Sequence, residues 1–149
     1  MKLVKIFAVI SLSFGAFSCS TQSVDDARIQ QASYSDIDNV TLKVGDTAPD
    51  FALPDGNGKL TTLKGLLAED HVMLVFYRGE WCPFCISHLE SFEAVLPQLT
   101  KKNVQLVAVS PDTVQTNVNT QRNFGLDYLF LSDAQHNAVN AYGVIAKPE

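Results

Sequence analysis

The segment Phe76-Tyr77-Arg78-Gly79-Glu80-Trp81-Cys82-Pro83-Phe84-Cys85 joins an apolar run to a helical pattern and carries two of the three cysteines of the chain. Upstream, Val72 to Tyr77 reads Val-Met-Leu-Val-Phe-Tyr, apolar at every position, as a strand covered on both faces reads. Downstream, Cys85, Leu89, Phe92, Leu96 and Leu99 recur at steps of four and three and form one apolar stripe. Glu90, Glu93, Lys101 and Lys102 fall off it, and Pro97 is expected to kink or divide the helix. The junction therefore delivers Cys82 to a helix start. Unpaired backbone N–H groups and the helix dipole favour negative charge there. The thiolate is the reactive form of cysteine, so this position activates Cys82.

Cys85 follows three residues later, about one helical turn on, close enough for the two sulfurs to bond with little rearrangement. Cys82, nearer the helix terminus, is expected to attack; Cys85, on the apolar stripe, is expected to be buried and to resolve. Pro83 suits the first helical position and stiffens the turn. Arg78 adds positive potential if the loop folds back, and Trp81 either shields the pair or packs. Two other readings stay open. Cys82, Cys85 and His88 have ligand-like spacing for a metal-binding or metallochaperone module, although no second cysteine pair completes a closed site. A fixed structural bridge is the other, but a loop this small constrains little unfolded-chain entropy.

Outward from this segment, Val104 to Val109 and Tyr128 to Leu131 are further runs apolar on both faces. Ser110-Pro111 is expected to cap and open the helix between them, which Gly125 ends. Asp133 is expected to cap a last helix, Ala134 to Tyr142, closed by Gly143. Strands alternating with helices predict an α/β fold, a mostly parallel sheet with helices on both faces. Before it, Asp55-Gly56-Asn57-Gly58 marks a hairpin turn between Phe51–Leu53 and Leu60–Thr62, with a helical turn over Leu63–Ala68.

The N-terminal stretch reads differently. Lys2 and Lys5 precede a short apolar run, Ile6 to Phe14, and small residues follow around Gly15, Ala16 and Ser18. Residues 1–18 are expected to be a secretory signal, too short for a spanning helix. Ala16-Phe17-Ser18-Cys19 resembles a bacterial lipobox, with Ala16 where Leu is preferred, so Cys19 is the expected lipidation site; ordinary signal cleavage is the alternative. Residues 19–40, rich in Ser, Gln and Asp, read as a flexible tether between membrane and a domain over 41–149. The expected location is the periplasmic side of the cell envelope. With 149 residues and 46% hydrophobic composition the chain supports one packed domain. Its formal charge of -5 and lack of a basic cluster argue against nucleic-acid binding.

Taken together, Val44-Gly45-Asp46-Thr47-Ala48-Pro49-Asp50-Phe51, the turn at Asp55 to Gly58, Phe76-Tyr77-Arg78-Gly79, the Trp81-Cys82-Pro83-Phe84-Cys85 core, Val107-Ala108-Val109-Ser110 and Ala141-Tyr142-Gly143-Val144 resemble the alkyl hydroperoxide reductase/thiol-specific antioxidant (AhpC/TSA, peroxiredoxin-like) branch of the thioredoxin superfamily. The resemblance covers residues 44 to about 143. It implies a thioredoxin-like fold and thiol-dependent reduction of peroxides or disulfides through a Cys82–Cys85 cycle. On the enzyme reading, that cycle is expected to need no bound cofactor and no metal, with an external thioredoxin-like electron donor restoring both thiols. One departure bears on the substrate. Such proteins carry Pro seven residues and Thr or Ser three residues before the peroxidatic Cys, where this chain has Val75 and Gly79, so the usual peroxide-orienting hydroxyl is missing. The second departure is the chain end. Related folds add a cis-proline loop, an antiparallel hairpin and a final helix, whereas this sequence stops at Lys147-Pro148-Glu149. A C-terminally truncated domain is therefore expected, with Val72 to Tyr77 as an open apolar edge, or else a partner strand from another chain.

Overall fold

The computed structural model describes residues 42–144. The signal segment, the tether, Cys19 and Pro148 lie outside the described residues. The described chain opens on a hairpin, β1 (Ala52–Pro54) paired antiparallel with β2 (Leu60–Thr62). Its turn is fixed by Asp55, whose Oδ1 accepts the backbone N–H of Asn57 at 2.8 Å and of Lys59 at 3.0 Å. A short helix follows, α1 (Leu63–Leu67), capped by the Thr62 hydroxyl, which accepts from Gly65 N at 3.0 Å.

The three apolar runs form one parallel sheet in the order β3 (His71–Phe76), β4 (Val104–Ser110), β5 (Leu129–Ser132). Its side chains alternate between two cores, as the period of two demands. Val72, Leu74 and Phe76 of β3, Val107 and Val109 of β4 and Leu131 of β5 pack with the hairpin, Leu63 of α1 and Ala138. Met73, Val75, Leu106, Ala108 and Phe130 pack on the other face, against Ile86, Leu89, Phe92, Leu96 and Leu99. Helices therefore cover both faces, as the two-sided strands predict. Among the described residues β3 pairs with β4 alone. Val72 to Phe76 are nonetheless only half exposed, because both faces of the strand are packed.

The helical stripe is divided into α2 (Pro83–Glu93) and α3 (Leu96–Thr100). Pro97 has no N–H to donate to the carbonyl four residues back, so the first helix cannot run through it.

Two helix starts differ from expectation. Ser110 does not cap a helix and Pro111 does not open one. Ser110 ends β4, fully buried, and α4 (Val114–Phe124) begins after Thr113, whose hydroxyl accepts from Thr116 N at 3.2 Å. The Ser110 hydroxyl is engaged instead in a buried polar cluster described below. Gly125 closes α4 in the left-handed conformation at φ 63°. The last helix, α5 (Asn137–Ala141), starts later than Ala134 because a turn intervenes, with His136 N donating to Asp133 O at 2.8 Å. Asp133 still serves the helix start. Its carboxylate, 1% exposed, accepts from Asn137 N at 2.8 Å and Val139 N at 2.9 Å.

Candidate active site

The loop 77–82 carries the chain from the C-terminal end of β3 to the start of α2. Cys82 is the N-cap of α2, in extended conformation, and Pro83 opens the helix. Its Sγ accepts the backbone N–H of Cys85 at 3.3 Å. An N–H group aimed at this sulfur stabilises a thiolate there more than a thiol. Cys82 and Cys85 are joined as a disulfide, with Cα atoms 5.2 Å apart.

The burial of the pair reverses the expected order. Cys82 is 4% exposed, whereas Cys85 is half-buried at the edge of the apolar stripe. Helical periodicity governs residues inside α2, where Ile86 and Leu89 take the buried positions. A cap residue lies outside that periodicity, so the stripe does not set its burial.

Arg78 does fold back, but onto an indole. Its Cζ lies 4.5 Å from the centroid of the Trp81 ring. Trp81, just before Cys82, and Phe84, between the two cysteines, are 64% and 87% exposed. The His88 ring lies tilted against Phe92, 4.8 Å between ring centroids. Among the described residues no group of three or more His, Cys, Asp or Glu side chains could hold a metal ion.

Gly79 explains the missing hydroxyl. Its φ is +134°, a conformation that side chains rarely adopt. A Cβ there would lie 2.9 Å from both Asp112 Oδ1 and Trp81 Nε1. A side chain three residues before Cys82 would therefore strain the backbone and have to displace Asp112 or Trp81.

Four residues that the sequence reading left out of the site lie behind the loop. Tyr77, Ser110, Asp112 and Asn117 form a largely buried polar cluster. The Tyr77 hydroxyl lies 3.0 Å from Asn117 Oδ1 and 3.5 Å from Asp112 Oδ2. The Ser110 hydroxyl lies 3.0 Å from Asn117 Oδ1 and 3.1 Å from Asp112 Oδ2. Burial, with the Asp112 carboxylate beside it, pushes the Tyr77 phenol well above its ordinary pKa and keeps it neutral. From this cluster Asp112 Oδ2 accepts the backbone N–H of Glu80 at 2.9 Å, tying the redox loop to the end of β4. A sequence signal existed: two parallel neighbouring strands, β3 and β4, bring Tyr77 and Ser110-Pro111-Asp112 to the same end of the sheet.

A dithiol pair at a helix start, at the C-terminal end of a parallel strand, defines a thioredoxin-fold thiol oxidoreductase. The chain belongs to the AhpC/TSA family, whose pattern matches residues 44–149. It is 34% identical over 106 residues to a protein named as a peroxiredoxin, bcp, from Helicobacter pylori, covering 71% of this chain and 69% of that one. It is 35% identical over 105 residues to alkyl hydroperoxide reductase E of Mycobacterium bovis, covering 69% of each. Among solved structures, the peroxidoxin BcpB of Mycobacterium tuberculosis superposes with a TM-score of 0.65 at 31% identity, covering 68% of this chain and 66% of that one. The chain thus spans about two thirds of the length of these relatives, just under it for the solved structure. The peroxiredoxin-like, thioredoxin-type fold expected from the sequence stands confirmed.

Proposed function

We propose that this protein reduces hydroperoxides through a Cys82–Cys85 dithiol cycle. The observation that carries the reading is the cysteine pair bridging the N-cap and first turn of α2, with Cys82 Sγ receiving a helix N–H. The Cys82 thiolate attacks the peroxide, its S–O bond forms as the O–O bond breaks, and the alcohol or water leaves after taking a proton. Cys85 then attacks the resulting sulfenic sulfur, forming the disulfide and releasing water. A thioredoxin-like dithiol donor restores both thiols by exchange. The exposed rings of Trp81 and Phe84 give a protein donor an apolar surface beside the disulfide. The names of the two relatives, a peroxiredoxin and an alkyl hydroperoxide reductase, support this substrate class.

The test supplies the reduced full chain with hydrogen peroxide, an organic hydroperoxide and a model protein disulfide, each with thioredoxin, its reductase and NADPH. Peroxide-dependent NADPH oxidation is expected. Peroxide loss at the uncatalysed rate, with the protein disulfide still reduced, would instead make the protein a disulfide reductase. The crowded position at Gly79 favours that second reading, since it removes the usual hydroxyl.

The domain of residues 41–149 is proposed to sit on the outer side of a membrane, carried by a lipid on Cys19 after removal of residues 1–18. The n-region lysines, the apolar run Ile6 to Phe14 and the cysteine at the cleavage zone support this. The mass of the mature N-terminal peptide decides it. A diacylated or triacylated Cys19 is expected, and an unmodified or uncleaved N-terminus sinks the lipid anchor.

A further inference from the structure

We propose that Asp112 is a positioning residue for the reactive thiol: its carboxylate holds the Gly79–Glu80 peptide in the orientation that lets the Gly79 carbonyl receive the Cys82 N–H. The inference rests on Cys82 being the attacking thiol, as proposed above. The two hydrogen bonds concerned belong to one planar peptide unit. Its N–H, from Glu80, donates to Asp112 Oδ2 at 2.9 Å. Its C=O, from Gly79, accepts from Cys82 N at 3.1 Å. The N–H and C=O of a trans peptide point in opposite directions, so fixing one end fixes the other. The bond to a carboxylate is the stronger kind and polarises the carbonyl opposite it.

Without that anchor the unit is free to rotate. Rotating it changes ψ of Gly79 and φ of Glu80, and a residue without Cβ puts little steric barrier in the way. Cys82 N–H would then lose its acceptor, and the sulfur would lose its fixed place over the Cys85 N–H. Asp112 is itself well held. Its backbone N–H donates to Ser110 Oγ at 3.3 Å and its carbonyl accepts from Ser132 Oγ at 2.6 Å. The anchor thus reaches the redox loop from the ends of β4 and β5. A carboxylate near a thiolate opposes ionisation through its charge. A gain from Asp112 must therefore come through geometry, and this separates the two effects experimentally.

Three variants of the full chain make the separation. Asp112→Asn keeps an acceptor oxygen in place but removes the charge. Asp112→Glu keeps the charge but displaces it from Glu80 N–H. Asp112→Ala removes both. Arg78 and Glu80, the other charged residues of the loop, are unchanged throughout. The reduced proteins are alkylated with iodoacetamide across pH, and modification of Cys82 is followed by peptide mass. In this reaction the thiolate displaces iodide and a carbon–sulfur bond forms. Wild type and Asp112→Asn are expected to share a low midpoint, with Asp112→Asn at or slightly below wild type. Asp112→Glu and Asp112→Ala are expected to titrate roughly one pH unit higher and to react about tenfold more slowly at pH 7. If Asp112→Ala does not fold, the Asn and Glu pair still decides. Midpoints that follow charge, with Glu like wild type, overturn the proposal, as do four equal midpoints. An ordinary thiol midpoint in the wild type would instead strike at Cys82 as nucleophile, a separate failure read from the same titration.

Discussion

Cys82→Ser removes peroxide turnover, by about a thousandfold or more, and leaves no trappable sulfur intermediate, whereas Cys85→Ser leaves a sulfenic acid on Cys82. The asymmetry follows from the helix start. Of the two, and among the described residues, Cys82 Sγ alone receives a backbone N–H, from Cys85 at 3.3 Å, which favours its anion over that of Cys85. A hydroxyl in its place is a far weaker nucleophile at neutral pH. With Cys85 removed, one equivalent of peroxide still oxidises Cys82, but the neighbouring thiol that expels water from the sulfenic acid is gone. Dimedone should then label Cys82. The return half of the cycle uses the same asymmetry in reverse. In the disulfide, Cys85 is the more exposed residue of the two. A donor thiolate that attacks Cys85 expels Cys82 as a thiolate, the better leaving group of the two. The half-exposure of Cys85 also permits the opposite assignment, with Cys85 meeting peroxide first. Dimedone on Cys85 in a Cys82→Ser protein, with turnover retained, would establish that assignment and end the one proposed here.

The strands and the redox pair were legible because each signal is local. Val72 to Tyr77 and Val104 to Val109 are apolar at every position, and a covered parallel strand has little alternative to such a run. Cys82-Pro83 at the head of the stripe Cys85, Leu89, Phe92 places a helix start without any tertiary information. Other features were not local. The cluster of Tyr77, Ser110, Asp112 and Asn117 joins residues up to 40 positions apart; Tyr77 alone reads as a strand end, Ser110 and Asp112 as a helix opening, and Asn117 as a position inside that helix. Ser110 and Pro111 look like a cap and a first turn, yet the hydroxyl has partners in that cluster and the cap falls to Thr113. The order of burial at the two cysteines misled for a related reason. A helical stripe says which way Cys85 faces, but it is silent about a cap residue that precedes the helix.

The second large effect is expected at Gly79. Gly79→Ala should destabilise the fold by about 3 kcal/mol and cut peroxide turnover severely, read by urea unfolding and by the coupled NADPH assay. Two penalties combine. The backbone sits at φ +134°, outside the regions open to L-residues, and holding a side chain there costs about 1–3 kcal/mol. The new methyl would also approach Asp112 Oδ1 and Trp81 Nε1 to 2.9 Å, closer than real Cβ contacts come. Relief by moving Asp112 would break its bond to Glu80 N–H. Relief by moving Trp81 would disturb the ring that carries Arg78. Either way the loop shifts, and with it the sulfur it presents. Gly58→Ala is the control. Its φ is +76°, and nothing lies within 4 Å of the added Cβ. It bears only the strain of a left-handed residue, about 1 kcal/mol, with turnover intact. Gly79→Thr, which would restore a hydroxyl three residues before Cys82, should be worse than Gly79→Ala, because a β-branched side chain meets the same two walls with more atoms. Equal stability of Gly79→Ala and wild type, or a gain of peroxide turnover in Gly79→Thr, would mean that the loop is not held as the contacts of Asp112 and Trp81 require.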